Sequence, residues 1–159
     1  MRLLVISDSH GDLSNAVKAI KNTDNVDLLV HLGDYYRDAL KLQEMFPGLA
    51  AEYVYGNSDF LTGDTMAEKT LEYEGVKIFI THGHRYSIKW GYERLCMKAN
   101  DVNADMVLFG HTHKADAILR NGRLLLNPGS ISESRSSRNE SYAVIDINKG
   151  LFNYKLCYI

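Results

Sequence analysis

The chain has 159 residues, 45% of them hydrophobic, which is enough to bury one globular core and too few to promise two, so residues 1–159 are read as a single domain. A formal net charge of -2 supplies no general pull toward nucleic acid or anionic lipid, so attraction for phosphate must be local to a site. The two cysteines, Cys96 and Cys157, lack Cys-x-x-Cys spacing and read as packing thiols; no run is long enough to span a bilayer and the start lacks a secretory-signal pattern, so the expectation is a cytoplasmic protein with no membrane partner.

Residues 2–7 form a first apolar, strand-like run. After it Leu13, Ala16, Val17 and Ile20 recur at i, i+3, i+4 and i+7, one face of a helix ending near Asn22. Residues 28–32 give a second strand. A weaker helix follows with Leu42, Met45 and Phe46 inward, stopped by Pro47-Gly48 before a third strand at 52–55. The rhythm then changes, because 70–73 and 76–81 flank Glu74-Gly75, the signal of an antiparallel hairpin, and the sheet becomes mixed. A helix over 89–99 carries Tyr92, Leu95, Cys96 and Ala99 inward with Ile88, and 106–109 is another buried strand. Two hairpins close the chain: 117–119 with 124–126 around Asn121-Gly122, and 142–147 with 152–157 around Asn148-Lys149-Gly150. Residues 130–141, rich in Ser and Arg, read as an exposed loop.

Five polar clusters follow these runs: Asp8-Ser9-His10, Gly33-Asp34, Gly56-Asn57, His82-Gly83-His84 and Gly110-His111-Thr112-His113. Polar side chains at the carboxyl ends of successive strands are how an α/β sheet gathers distant groups into one crevice. In an extended segment residues two apart project to one side, which pairs Asp8 with His10 and His111 with His113. Singly, the first cluster reads as a helix cap before it reads as a metal site, and Gly33-Asp34 and Gly56-Asn57 as ordinary turns. In series, two carboxylates, an amide and several imidazoles suit hard or borderline divalent cations rather than a thiolate zinc site. His31, in phase with Leu29 and Gly33, reads as a satisfied core histidine or a support for the site.

The ordered blocks D-x-H, G-D, G-N, a histidine and G-H-x-H resemble the signature of the calcineurin-like metallophosphoesterase superfamily over the whole chain. The likeness is to its small single-domain bacterial and archaeal phosphodiesterases, through Thr81-His82-Gly83-His84-Arg85-Tyr86, Phe109-Gly110-His111-Thr112-His113 and Leu126-Asn127-Pro128-Gly129-Ser130. The resemblance implies an α/β fold, a four-layer αββα sandwich of two mixed β-sheets flanked by helices. It also implies a dinuclear centre: one metal on Asp8, His10, Asp34 and His113, the other on Asp34, Asn57, His82 and His111, with Asp34 bridging. The implied reaction is phosphodiester hydrolysis by a metal-bridging hydroxide. Asp34, Asn57 and His82 would be catalytic, with Ser58, Asp59, His84 and Arg85 behind the ligands or against substrate. Two divalent ions per chain are expected, manganese or nickel foremost, with magnesium, iron or zinc as alternatives. The expected partner is a phosphodiester substrate, and self-association is left open. Ligating histidines must be neutral, so metal affinity and activity should fall as pH drops through about 6.5.

Many superfamily members place a histidine after the G-N pair, where it assists the leaving group; here Ser58 stands in its place. A hydroxyl is a poor proton donor near neutral pH, so alkyl esters should lack the ~10²–10⁴-fold help of a general acid, whereas aryl esters need it less. Arg135 reads as a solvated loop charge and Asn127-Pro128 as a structural turn. The chain also resembles the retromer scaffold subunit, a relative with the fold and the H-G-H and G-H-T-H blocks, which makes a non-catalytic metal-binding scaffold the alternative. That relative departs from the G-D block, so Asp34 separates the two readings. A nuclease or protein phosphatase would call for a large capping domain, for which the chain has no room, or a basic stripe, which is not evident in the sequence.

Overall fold

In β1 (Arg2–Ile6) alternate side chains take opposite sides: Leu3 and Val5 join one buried cluster, Leu4 and Ile6 another. A strand buried on both faces needs a layer on each side, and the computed structural model, which describes residues 1–120, 122–135 and 139–159, supplies both. β1 lies between β2 (Leu28–His31), which it pairs in parallel, and β9 (Ser141–Asn148), antiparallel. With β3 (Ala50–Tyr53) and β10 (Leu151–Tyr158) these make a five-stranded sheet ordered β10-β9-β1-β2-β3.

The second five-stranded sheet is ordered β4-β5-β6-β8-β7, from β4 (Glu68–Tyr73), β5 (Val76–Thr81), β6 (Met106–Leu108), β7 (Ala115–Arg120) and β8 (Arg123–Pro128). β5, β6 and β8 run parallel, with antiparallel β4 and β7 at the edges. Parity repeats here: Ile78, Ile80, Met106, Leu108, Leu124 and Leu126 meet Leu3, Val5 and Val30 between the sheets, while Phe79, Val107 and Leu125 face outward. Helices α1 (Ser14–Asn22) and α2 (Arg37–Met45) cover the first sheet through Ala16, Ala19 and Leu42, and α3 (Glu93–Asp101) covers the second through Leu95 and Ala99. The layers are therefore α, β, β, α. No helix among the described residues is long and apolar enough to cross a membrane.

Several boundaries differ from the sequence reading for local reasons. β3 begins and ends two residues early, pairing Leu28 with Ala50, which frees Val54 and Tyr55 to carry Gly56 toward Asp34. α3 starts at Glu93 because Gly91, at φ 153°, interrupts the turn; Ile88 is buried from the preceding loop instead. Met45 is 53% exposed, since the buried row of α2 is Asp38, Ala39 and Leu42. The Glu74-Gly75 hairpin pairs Tyr73 with Val76 and puts both turn residues at positive φ, as the tightest hairpins require. Asn121 of the Asn121-Gly122 signal lies outside the described residues. So do residues 136–138 of the expected exposed loop, whose ends are not exposed: Ser130, Ile131 and Ser141 are buried. Asn127 and Pro128 end β8, paired with Asp116 and Ala115 of β7, and the expected turn follows directly, with Asn127 Oδ1 accepting the Gly129 N–H (2.9 Å).

Candidate metal centre

The loops after β1, β2, β3, β5 and β6 meet at one edge of the sandwich. Asp8 N–H donates to the Gly33 carbonyl (3.0 Å), Gly110 N–H to His82 O (3.0 Å), and His111 N–H to Asp8 Oδ2 (3.1 Å). Two glycines permit this approach. A Cβ on Gly56 would overlap Asp34 Oδ1 and come within 2.9 Å of His82 Cγ, and one on Gly110 would overlap Ser7 Oγ and lie 2.9 Å from Asp8 Oδ2.

Asp8, His10, Asp34 and His113 each offer a ligand atom, and these atoms lie within 4.8 Å of one another. The paired residues do not converge by strand pleating, as the sequence reading assumed. Asp8, His10, Asp34, His111 and His113 all have left-handed backbones, with φ between 47° and 69°. For non-glycine residues that costs on the order of 1 kcal/mol each and persists only where the surroundings over-determine it. The kinks send His111 and His113 to opposite sides. The His113 ring lies 5.2 Å from that of His10, and the His111 ring 5.2 Å from that of His82, with the two carboxylates between.

Hydrogen bonding on the far ring nitrogens fixes which atoms face inward. His82 Nδ1 lies 2.8 Å from Leu32 O, and His113 Nδ1 2.8 Å from Glu133 O, so each Nδ1 carries the proton and each Nε2 presents a bare lone pair. His113 Nε2 is 3.1 Å from Asp8 Oδ1, and His82 Nε2 is 3.4 Å from Asp34 Oδ1 and 3.9 Å from Asp8 Oδ1. Asp8 Oδ1 and His82 Nε2 are buried without a hydrogen-bond partner. Facing acceptors at this range repel unless a proton or a cation lies between them, and a divalent ion fits this donor set.

In the metal-free protein a proton partly fills that role. Burial disfavours charge on His113, but its contact with Asp8 outweighs burial and raises its pKa above 6.5; Asp8, penalised by burial, is held below its ordinary value by His113 and His82. His111 shifts oppositely, to about 4, through burial and its nearness to His82 and Lys89. Competition between metal and proton therefore begins at His113 above pH 6.5, while His111 stays neutral well below it.

The remaining candidates are distributed around this core. Asn57 is exposed at the rim, its Nδ2 3.4 Å from Ser58 Oγ. Ser58 holds the Asp34 carboxylate twice, N–H to Oδ1 (2.8 Å) and O–H to Oδ2 (3.0 Å). Asp59 accepts N–H bonds from Tyr35, Tyr36 and Gly56, tying the third cluster to the start of α2. His84 lies beside His82 and His111, ring centroids at 5.5 and 6.2 Å, with Nδ1 buried and unpartnered; burial, with the nearby His82, lowers its pKa. Arg85 and Arg135 are exposed, and the Arg135 N–H donates to His113 O (3.1 Å).

The sequence reading allowed His31 as a support but missed its partners and the other supports. Gly33 N–H donates to His31 Nδ1 (3.2 Å), so His31 Nε2–H faces Ser9 Oγ (2.9 Å), and Ser9 O–H donates to Asp38 Oδ2 (2.8 Å). Asp38 also accepts Gly11 N–H, pinning both ends of the loop that carries His10. The available signal was a carboxylate next to Ala39 and Leu42 on the buried face of α2. Ser130 and Ser132 hydroxyls donate to Asp8 O, and Asn127 Nδ2 donates to Gly110 O (2.8 Å), so the Asn127–Ser132 stretch braces two of the clusters.

His31 carries a pH prediction. Complete burial lowers its pKa from 6.5 to about 4, so between those values the unfolded chain binds the extra proton and stability falls as pH falls. Denaturant unfolding of the metal-free protein at pH 7 and pH 4.5 should show His31→Gln losing about 2 kcal/mol less than wild type over that interval. Equal losses would remove His31 from the account.

Buried carboxylates and bare imidazole nitrogens at the strand ends of a two-sheet αββα sandwich mark a protein of the metal-site class. The chain belongs to the calcineurin-like phosphoesterase superfamily, whose domain model matches residues 1–150. It is 38% identical over 150 residues to the probable metallophosphoesterase YsnB of Bacillus subtilis, covering 92% of this chain and 85% of that one. It is 31% identical to the phosphodiesterase MJ0936 of Methanocaldococcus jannaschii, covering 81% and 83%. A predicted phosphoesterase from Streptococcus pneumoniae superposes with a TM-score of 0.84 at 32% identity, over 99% of this chain and 88% of that one. Zinc-complexed Vps29 from Entamoeba histolytica shares the fold, with a TM-score of 0.78 at 23% identity over 99% and 98%. The reaction class is phosphoester hydrolysis, and the fold is the αββα sandwich expected.

Proposed function

We propose that the chain is a dinuclear, divalent-metal-dependent phosphodiesterase. The carrying observation is the set of facing acceptors: His113 Nε2 against Asp8 Oδ1, and His82 Nε2 against Asp34 Oδ1 with no hydrogen-bond partner of its own. Asp8, His10, Asp34 and His113 would hold one ion, and Asp34, His82, His111 and Asn57 the second, with manganese or nickel foremost. When bound, such a pair supplies Lewis acidity toward the phosphoryl oxygens and lowers the pKa of the attacking water. Ser58 keeps Asp34 aimed inward. Burial keeps His84 neutral near pH 7, free to accept or donate a hydrogen bond to the phosphate. The phosphodiesterase name of MJ0936 supports the diester. Resemblance to Vps29 supports only a shared fold, and Asp34 argues against a scaffold.

Because both Ser58 donors are spent on Asp34, no residue at that position protonates a departing alkoxide. With manganese, bis(4-nitrophenyl) phosphate should be cleaved faster than 4-nitrophenyl phosphate, and at least about 10²-fold faster than a dialkyl diester beyond their difference in intrinsic reactivity. Preference for the monoester would overturn the diesterase reading; equal catalytic enhancement of aryl and alkyl diesters would overturn the role of Ser58.

A further inference from the structure

Among the described residues Lys41 is paired with Asp38, Lys69 with Glu52, Lys98 with Glu68 and Arg2 with Asp146, and most other Lys and Arg side chains make no ion pair, so what distinguishes a group of cations is where they gather. Three others, Lys89, Lys114 and Arg135, make no ion pair among the described residues, and all three line one cavity of about 530 Å³. Ile88 contributes an apolar wall, and Thr112, Tyr92 and Asp116 complete the polar lining. The cavity adjoins the metal centre. Thr112 and Lys114 alternate along the chain with His111 and His113, and Arg135 N–H is bonded to His113 O at 3.1 Å. Lys89 acts electrostatically on His111 and Arg135 on His113, each opposing protonation, which puts both cations near the imidazoles.

The charge of this cavity is specific. Tyr92 O–H donates to Asp116 Oδ2 (2.9 Å), and burial together with Asp116 raises the phenol's pKa, so Tyr92 remains a donor and occupies the carboxylate. Three cations against one carboxylate leave two positive charges in a protein whose net charge is -2. A phosphate monoester, at about -1.5 to -2 near neutral pH, matches that surplus; a carboxylate would leave it half compensated.

We propose that this cavity receives a terminal phosphate monoester carried on one arm of the diester substrate, so that the preferred substrates are diesters of phosphorylated alcohols or nucleotides. The proposal rests on the phosphodiesterase reading above. The scissile phosphate would lie at the metal centre while Lys89, Lys114 and Arg135 hold the terminal one, and Ile88 packs against the intervening organic group.

Thymidine 5′-(4-nitrophenyl phosphate), with and without a 3′-phosphate, is a matched pair that tests this. The manganese-loaded protein should favour the 3′-phosphorylated compound by about tenfold or more in kcat/KM, mainly through KM, and the triple variant Lys89→Ser, Lys114→Ser, Arg135→Ser should lose that preference. A ratio within about twofold of one in the wild type, or a preference retained by the variant, overturns the proposal. Hydrolysis of neither compound overturns the phosphodiesterase reading instead, and the cavity is then decided by titrating metal-free protein with thymidine 3′-phosphate. Amide NMR shifts at residues 112–115 that are lost in the variant support it; their absence in the wild type overturns it.

Discussion

Asp34→Asn is expected to lower kcat/KM for bis(4-nitrophenyl) phosphate by about 10³-fold or more, the scale of losing a preorganised electrostatic element. Asp34 approaches both imidazole pairs, and lies nearer His82 than Asp8 does: it belongs to the cluster of Asp8, His10 and His113, and its Oδ1 lies 3.4 Å from His82 Nε2, against 3.9 Å for Asp8 Oδ1. Asparagine keeps the shape and an oxygen for the Ser58 N–H but removes the charge that binds two cations at once. The fold should not suffer, because Asp34 and Asp8 are both buried and removing one charge relieves their repulsion in the metal-free protein. Thermal unfolding separates the two effects: an unchanged or higher metal-free Tm with lost activity supports the role. A variant retaining a tenth or more of wild-type kcat/KM would contradict it.

The second large effect is on stability. The metal-free protein buries Asp8 Oδ1 and His82 Nε2 without partners and holds five site residues in left-handed backbone. Bound metal compensates both. Each site at a hundredfold excess over its Kd would add about 2.7 kcal/mol, and two such sites should raise Tm by about 15 °C in a domain of this size. His113→Ala and His82→Ala, which remove ligands from opposite sides, should each take away about half of the rise. A rise below about 2 °C at saturating manganese would mean that the facing acceptors are satisfied without metal.

The fold was legible because both sheets are buried on two faces. Leu3, Leu4, Val5 and Ile6 form a continuous apolar run, and the Glu74-Gly75 turn announces where parallel order ends. Boundaries were less legible where the chain leaves a ladder to serve the site, as at Val54, whose departure is set by Gly56 packing on Asp34 and His82. The clusters were legible as residue types in series, but not as geometry. An alternating pattern predicts that His111 and His113 share a side, whereas left-handed φ at both sends them to opposite imidazole partners. The supports were least legible. Ser9, His31 and Asp38 lie in three elements, and only the tertiary fold brings them within hydrogen-bonding distance. Asn127 read as a turn residue and Ser130 as the start of an exposed loop because their other partners, Gly110 O and Asp8 O, are remote in sequence.

The central claim is that this edge of the sandwich holds two divalent ions that together hydrolyse diesters. Titrating manganese into chelator-treated protein at a concentration far above Kd, while recording bis(4-nitrophenyl) phosphate hydrolysis, tests it most directly. The account predicts no activity before addition and a rate that rises to a plateau at two equivalents per chain. A plateau at one equivalent, or no diester hydrolysis at any manganese concentration, would contradict it.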